Sequence, residues 1–386
     1  GGIIDLRISQ RAKGVPRSGI REMFDMAPKY KNVISLGIGE PGFPTPEHIV
    51  EAGAKALYEG HTKYTPNAGI SDLRKAIAER ASLDGLSVDQ QNVIVTTGAG
   101  EAILLALLST VDPGDEVLLP DPAWPNYFGQ VALSGAQLKF VKTYDHDHFH
   151  LKAEAIKKAV GERTRAIIIN SPSNPTGAVL SEEELEDISR IILSHNLVVI
   201  SDETYSNILF DGRKHTSIAS LPDMTDHTIV VNSFSKTYAM TGWRVGYAIG
   251  PSDVISQMAK LQESVSSCVN AAAQQACLAA LKGPQDCVEE MVKGYRERRD
   301  LLLSGLAELP GIDCLMPEGS FYAFPNITKF GLSSKEFALM LLEKAQVVVV
   351  PGTAFGEGGE GYLRVSFCGS IESIKEALSR LQNLLR

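Results

Sequence analysis

Leu197-Val198-Val199-Ile200-Ser201-Asp202-Glu203-Thr204-Tyr205 is a short apolar run that ends abruptly in acid, hydroxyl and phenol. It is too short for a helix and shows no polar alternation, so it reads as a strand covered on both faces of a sheet. The residues before it, 181–195, follow a helical pattern, and Ser181 with Glu184 forms a capping box at its start. Working outward, the same alternation recurs. Short β-branched runs stand at 92–96, 116–119, 165–170 and 228–231, with another strand near 137–141. Helical stretches at 100–110 and 122–133 separate them, and Asp112-Pro113-Gly114-Asp115 makes a turn between helix and strand. Strands alternating with helices predict an α/β fold with a mostly parallel central sheet flanked by helices.

The pattern changes after residue 251. Long helices run to about 309, then strands are expected near 312–316, 321–324, 347–350 and 362–367, with helices at 334–345 and 371–385. The N-terminal segment carries one strand, 33–36, before Pro41 and Pro44. We therefore expect a large domain over 45–285 and a smaller α+β domain built from both chain ends, 1–44 and 286–386. No internal repeat or low-complexity tract interrupts this arrangement.

The 386 residues carry 37 Lys and Arg against 46 Asp and Glu, a net charge of −9. That balance disfavours nucleic acid or an anionic membrane as a partner, while leaving room for a locally basic site. Five cysteines (Cys268, Cys277, Cys287, Cys314, Cys368), odd in number and without a CxxC pair, point to a reducing compartment rather than a disulfide framework. The first residues, Gly1-Gly2-Ile3-Ile4-Asp5, lack the basic and apolar regions of a signal peptide, and no apolar run approaches membrane-spanning length. The expectation is a cytoplasmic protein.

Chemistry concentrates at strand ends. Asp202 ends its strand, where an open α/β sheet meets its ligand, although a helix N-cap would explain an acid there as well. Asn170-Ser171-Pro172-Ser173-Asn174-Pro175-Thr176-Gly177 follows the previous strand as a stiff turn that aims Asn174. Gly98-Ala99-Gly100 opens a helix, a seat for phosphate. Ser233-Phe234-Ser235-Lys236-Thr237, with Gly242-Trp243-Arg244 close behind, offers hydroxyls, an arginine and an amine that can form an imine. A surface loop with an exposed lysine is the plainer reading of this last motif, but four such strand ends together exceed what separate accidents supply. Gly37-Ile38-Gly39-Glu40-Pro41-Gly42 matches GxGxxG, yet Pro41 and Pro44 prevent a helix from opening inside it. A dinucleotide site is disfavoured, and the glycines are expected to form a turn with exposed backbone N–H groups.

Taken in order, Leu36-Gly37-Ile38-Gly39-Glu40-Pro41, Lys63-Tyr64-Thr65-Pro66, Asn174-Pro175-Thr176-Gly177, Asp202-Glu203-Thr204-Tyr205, Ser235-Lys236-Thr237, Gly242-Trp243-Arg244 and Leu363-Arg364-Val365-Ser366 resemble the pyridoxal-phosphate-dependent class I/II aminotransferases of fold type I, in their aspartate/aromatic group. The resemblance spans almost the whole chain. It implies pyridoxal 5'-phosphate bound covalently to Lys236, which also serves as base and acid in the proton shift. It implies that Asp202 pairs with the ring nitrogen, that Tyr205 and Asn174 bond the 3'-oxygen, and that Trp124 stacks on the ring. The phosphate is expected among Ala99, Gly100, Ser233, Ser235 and Arg244, with Tyr64 reaching in from a second subunit, hence a homodimer with shared active sites. Arg364, helped by the Gly39 backbone and with Asn174 and Trp124 nearby, is expected to hold the substrate carboxylate. Gly42 and Ser233 depart from the commonest family residues without touching a required role. No second arginine is assignable to a side-chain carboxylate, and Arg21 reads as part of a solvated helix face.

The implied reaction moves the amino group of an L-amino acid, aspartate or aromatic, to a 2-oxo acid such as 2-oxoglutarate. The rivals are a β-carbon–sulfur lyase on the same fold, a non-catalytic amino-acid-sensing module and a nicotinamide oxidoreductase. Two further motifs drew weaker expectations. Asp145-His146-Asp147-His148-Phe149-His150 reads as a solvated loop rather than a metal site, and no metal is expected. The glycine-rich 356–361 stretch reads as a loop of the smaller domain that orders when the site closes.

Overall fold

The computed structural model describes residues 6–386. Its strands, in chain order, are β1 (Ile34–Ser35), β2 (Val93–Thr96), β3 (Glu116–Asp121), β4 (Gln137–Lys142), β5 (Thr164–Asn170) and β6 (Val198–Asp202). They continue with β7 (Thr228–Ser233), β8 (Gly246–Ile249), β9 (Tyr322–Ala323), β10 (Val347–Val348), β11 (Val350–Pro351) and β12 (Leu363–Ser366). Seven of them form the central sheet in the order β2-β8-β7-β6-β5-β3-β4.

The continuous apolar runs are explained by what covers each face. Along β5, Ala166 and Ile168 pack on one side with Ile103 and Leu107 of the helix Gly98–Thr110. Ile167 and Ile169 point to the other side, against Ile188 and Ile192 of the helix Glu182–Ser194. Each such fully buried aliphatic side chain contributes roughly 1.5–3 kcal/mol. Ser181 and Glu184 make both arms of the capping box that starts the second helix. At the sheet's outer edge β4 is only partly covered, and Lys139 and Lys142 sit on it, which discourages pairing with another chain.

Both ends of the chain meet in one place. β1 runs parallel to β10, with Ile34 opposite Val347, and β11, β12 and β9 form a small antiparallel sheet. Leu36, Leu302, Phe337, Val347 and Leu378 share a core there, under the helices Asp286–Ala307, Ser334–Ala345 and Ile371–Leu385.

The central sheet is mostly parallel as expected; the exception is β8, a strand not anticipated in the sequence, which runs antiparallel to both β7 and β2. No α-helix lies between β7 and β8 to carry the chain back across the sheet, so β8 returns in the opposite direction. No strand forms at 312–316. Asp313 makes a single bridge to Asn326, and the neighbouring apolar residues turn into cores instead. The helix expected at 122–133 begins only at Asn126. Finally, 145–150 is solvated at His146 and His148 as expected, but it is anchored at its end. Phe149 is buried against Phe324, and His150 lies between Glu184 at 2.8 Å and Glu318 at 2.6 Å.

Candidate active site

The parallel strands deliver their ends side by side. In register, Asn170 lies opposite Asp202 and Asp202 opposite Val231, so the polar residues that end β5, β6 and β7 converge on one edge. A half-enclosed cavity of about 330 Å³ opens there, between this edge and the strands formed by the chain ends. Gly39, Ala99, Gly100, Trp124, Asn174, Asp202, Tyr205, Ser233, Ser235, Lys236, Arg244 and Arg364 all line it.

Asp202 is 3% exposed. Its Oδ2 accepts from the Tyr127 hydroxyl at 2.6 Å, and its Oδ1 accepts from the Thr204 amide at 3.1 Å and hydroxyl at 2.6 Å. No cation pairs with it among the described residues. Burial pushes its carboxyl up from the usual range, while the bonds from Thr204 and Tyr127 pull it back.

Arg364, on β12, is the opposite case. It is 2% exposed, and no carboxylate of the described residues lies within ion-pair distance. Its Nη1 donates to Asn174 Oδ1 at 3.0 Å and its Nη2 to the Gly37 carbonyl at 2.8 Å, while its buried Nε has no partner. The guanidinium lies over the rings of Tyr322, 4.3 Å from its centroid, and Phe355, at 5.0 Å. A lone buried charge costs several kcal/mol unless it is compensated. One anion and one cation are thus held in the same cavity without counter-ions.

Lys236, on the loop after β7, lines the same cavity, and its Nζ donates to the Gly39 carbonyl. Burial pushes this amine down to about 8, and Arg364 and Arg244 act in the same direction against Cys368 and Glu40. An amine so placed releases its proton far more readily than a surface lysine, which makes its nucleophilic neutral form accessible near neutral pH.

The fourth feature is an anion seat. Gly98 opens its helix at φ 75°, and an added Cβ would collide with the Arg244 guanidinium. The absence of a side chain therefore brings Arg244 against the first turn, where backbone N–H groups are free. Arg244 itself adopts φ 57°, uncommon for a residue with a side chain, and Ser233 and Ser235 complete the wall.

Tyr64 stands apart: it is 90% exposed and does not line this cavity. Ile20, Tyr127, Thr204 and Tyr322 line the cavity without having been singled out in the sequence. Aromatic and aliphatic residues at core spacing carry no signal that separates a cavity wall from packing. The glycine-rich loop reaches the site's flank, where the Gly358 amide donates to buried Asp121 at 3.0 Å. The histidine motif gathers no three ligands, and no metal-holding cluster occurs among the described residues.

A family model described as aminotransferase class I and II matches residues 31–381. The chain is 45% identical to an aspartate aminotransferase of Pyrococcus abyssi, over 99% of each protein. It is 42% identical to aromatic-amino-acid aminotransferase 2 of Thermococcus litoralis, again over 99% of each. Among solved structures, an aromatic aminotransferase from Pyrococcus horikoshii OT3 superposes with a TM-score of 0.90 at 45% identity, covering 94% of this chain and 98% of that one.

Proposed function

This chain belongs to the class I and II aminotransferases, and from that membership we propose that it binds pyridoxal 5'-phosphate in the cavity at the sheet's carboxyl edge and exchanges amino groups by ping-pong half-reactions. The observation that carries this reading is the pair of buried charges without counter-ions, Asp202 and Arg364, lining the same cavity as the Lys236 amine. They fit a group with a basic ring nitrogen and a substrate with a carboxylate. Asp202 holds the ring nitrogen protonated, and Tyr205 and Asn174 bond the ring oxygen. Trp124 supports the ring's face. Arg244, Ser233, Ser235 and the amides of Ala99 and Gly100 hold the phosphate. When bound, the cofactor supplies an electron sink for the pair left behind as the substrate's α-proton departs. Lys236 Nζ would hold the cofactor covalently at rest and, once the substrate's amino group has displaced it, the freed amine would serve as the base and acid that moves the α-proton. Arg364, with the Gly39 backbone, orients the substrate through its α-carboxylate.

The relatives' names support L-aspartate or an aromatic L-amino acid as donor, and the acceptor in this reading is a 2-oxo acid such as 2-oxoglutarate. The lining favours the aromatic donor. Its cations are Lys236, Arg244 and Arg364, each already assigned, whereas Ile20 offers apolar surface.

Two further parts of the reading rest on the surface and the termini. A homodimer with shared sites is supported by exposed Leu57, Tyr58 and Tyr64, beside an open groove of about 680 Å³ along the helix Glu47–Tyr58. A division into 45–285 and 1–44 with 286–386 is supported by the β1–β10 pairing, although residues 1–5 lie outside the described residues. Free cysteines and the lack of any membrane-length helix among the described residues support a cytoplasmic location.

Product analysis tests the function. Purified protein given pyridoxal 5'-phosphate, an amino acid and 2-oxoglutarate is expected to form glutamate. Lys236→Ala is expected to lose turnover by about a hundredfold or more. Normal turnover in that variant, or pyruvate and ammonia from a β-substituted amino acid without amino transfer, contradicts the reading.

A further inference from the structure

We propose that Tyr322 is a positioning residue that ties the two halves of the site together: its hydroxyl orients Tyr205 toward the cofactor's ring oxygen, and its ring face supports Arg364 at the substrate carboxylate. The proposal rests on the cofactor reading above.

Tyr322 is buried on β9, a strand hydrogen-bonded to the Arg364-bearing β12 through the pairs Val365 with Ala323 and Ser366 with Tyr322. Its hydroxyl lies 2.8 Å from the Tyr205 hydroxyl, which comes from the segment following β6 of the central sheet. Its ring faces the Arg364 guanidinium 4.3 Å from the centroid. One side chain from the sheet built by the chain ends therefore touches a cofactor contact and the carboxylate clamp.

A plain core role does not account for this arrangement. A core tyrosine needs only a filled volume, and phenylalanine would fill it as well. Here the hydroxyl has a place made for it, because a Cβ on Gly39 would lie 2.6 Å from Tyr322 Oη. The glycine at 39, within the turn whose carbonyl also accepts from Lys236, leaves room for that oxygen.

The direction of the hydrogen bond follows from proton counting. Tyr205 has one proton, and once it is committed to a ligand oxygen, the bond between the two phenols must run from Tyr322 to Tyr205. The titratable groups facing Tyr322 are Tyr205, Arg364, Cys368 and Tyr295. Burial pushes the Tyr322 phenol up to about 12 against the pull of Arg364, so it keeps its proton and remains a donor at working pH. Accepting that bond makes Tyr205 a stronger donor in turn.

The test uses the holoenzyme and two variants, each read by the pH titration of the bound cofactor's visible absorption and by the amino-acid KM. Tyr322→Phe keeps the ring and removes the hydroxyl. It is expected to move the spectral midpoint up by about half a pH unit or more, with KM nearly unchanged. Tyr322→Leu also removes the face under Arg364, and is expected to raise KM by about tenfold as well. A Tyr322→Phe midpoint equal to that of a normally titrating wild type overturns the proposal alone, as does an unchanged KM in Tyr322→Leu. A wild type without a pH-dependent visible band overturns the cofactor reading, and this proposal with it.

Discussion

At the scale of single residues, the site works through charges held without their usual partners. Asp202 is buried among hydroxyl donors from Tyr127 and Thr204 but meets no cation, so its carboxyl is raised by burial. A protonated ring nitrogen beside it would reverse that shift, because each member of the pair favours the other's charged form. Replacing the charge while keeping the shape separates this electrostatic role from packing. Asp202→Asn is expected to lower kcat by about a hundredfold or more, with cofactor affinity much less affected. Stopped-flow kinetics with equilibrium dialysis measures both, and unchanged proton-transfer kinetics would reject the role. Lys236 illustrates the complementary effect: burial and two arginines bring its amine to about 8, where a lysine on the surface would stay protonated.

At the scale of elements, His150 joins three segments distant in sequence. It sits between Glu184, which also caps the helix Glu182–Ser194, and Glu318, which accepts from the Val179 amide. Burial works against the charged ring, but the two carboxylates prevail and raise His150 to about 9, while Glu184 is lowered to about 2. The signs fix the pH window. The stabilisation from a raised histidine is full below its unfolded value near 6.5 and is lost as pH climbs through about 9. That from the lowered glutamate is present above 4.5 and lost as pH falls toward 2. His150→Ala is therefore expected to cost about 1 kcal/mol at pH 7, after solvent screening, and less at pH 10. Denaturant melts at both pH values check this, and an equal cost at both would contradict the ionic account.

The same residue marks where the sequence stops being legible. Helices at Ser334–Ala345 and Ile371–Leu385 were readable to their ends, because serines cap them and apolar periodicity fills them. β5, β6 and β7, which are covered on both faces, were readable to within one or two residues at their ends. His150 was not, since its partners lie 34 and 168 positions away. Nor was β8, whose Gly246 and Ala248 dilute the apolar signal. Tyr127 and Tyr322 looked like core aromatics, and only the fold brings their hydroxyls to Asp202 and Tyr205.

At the scale of the whole molecule, a net charge of −9 coexists with a cavity whose cations are Lys236, Arg244 and Arg364. The acidity disfavours polyanions, while in the proposed reading these side chains would concentrate positive charge for one phosphate and one carboxylate. Tyr64 lies outside its own chain's cavity, which gives the shared-site dimer a direct consequence. Lys236→Ala and Tyr64→Ala chains, each impaired alone, are expected to regain activity when unfolded together and refolded as hybrids. In such a hybrid one site has its own lysine and the partner's tyrosine. Activity no greater than the sum of the separate variants would show that Tyr64 does not act across the interface.

The central claim is that the lone charges around Lys236 hold pyridoxal 5'-phosphate for amino transfer, and single half-reactions address it most directly. Each amino acid is added alone to the yellow holoenzyme while the cofactor's absorption is followed. An aromatic amino acid or aspartate is expected to convert the visible band to the shorter-wavelength amine form, and 2-oxoglutarate is expected to restore it. A holoenzyme whose spectrum no amino acid converts, or whose converted form no 2-oxo acid restores, would contradict the account.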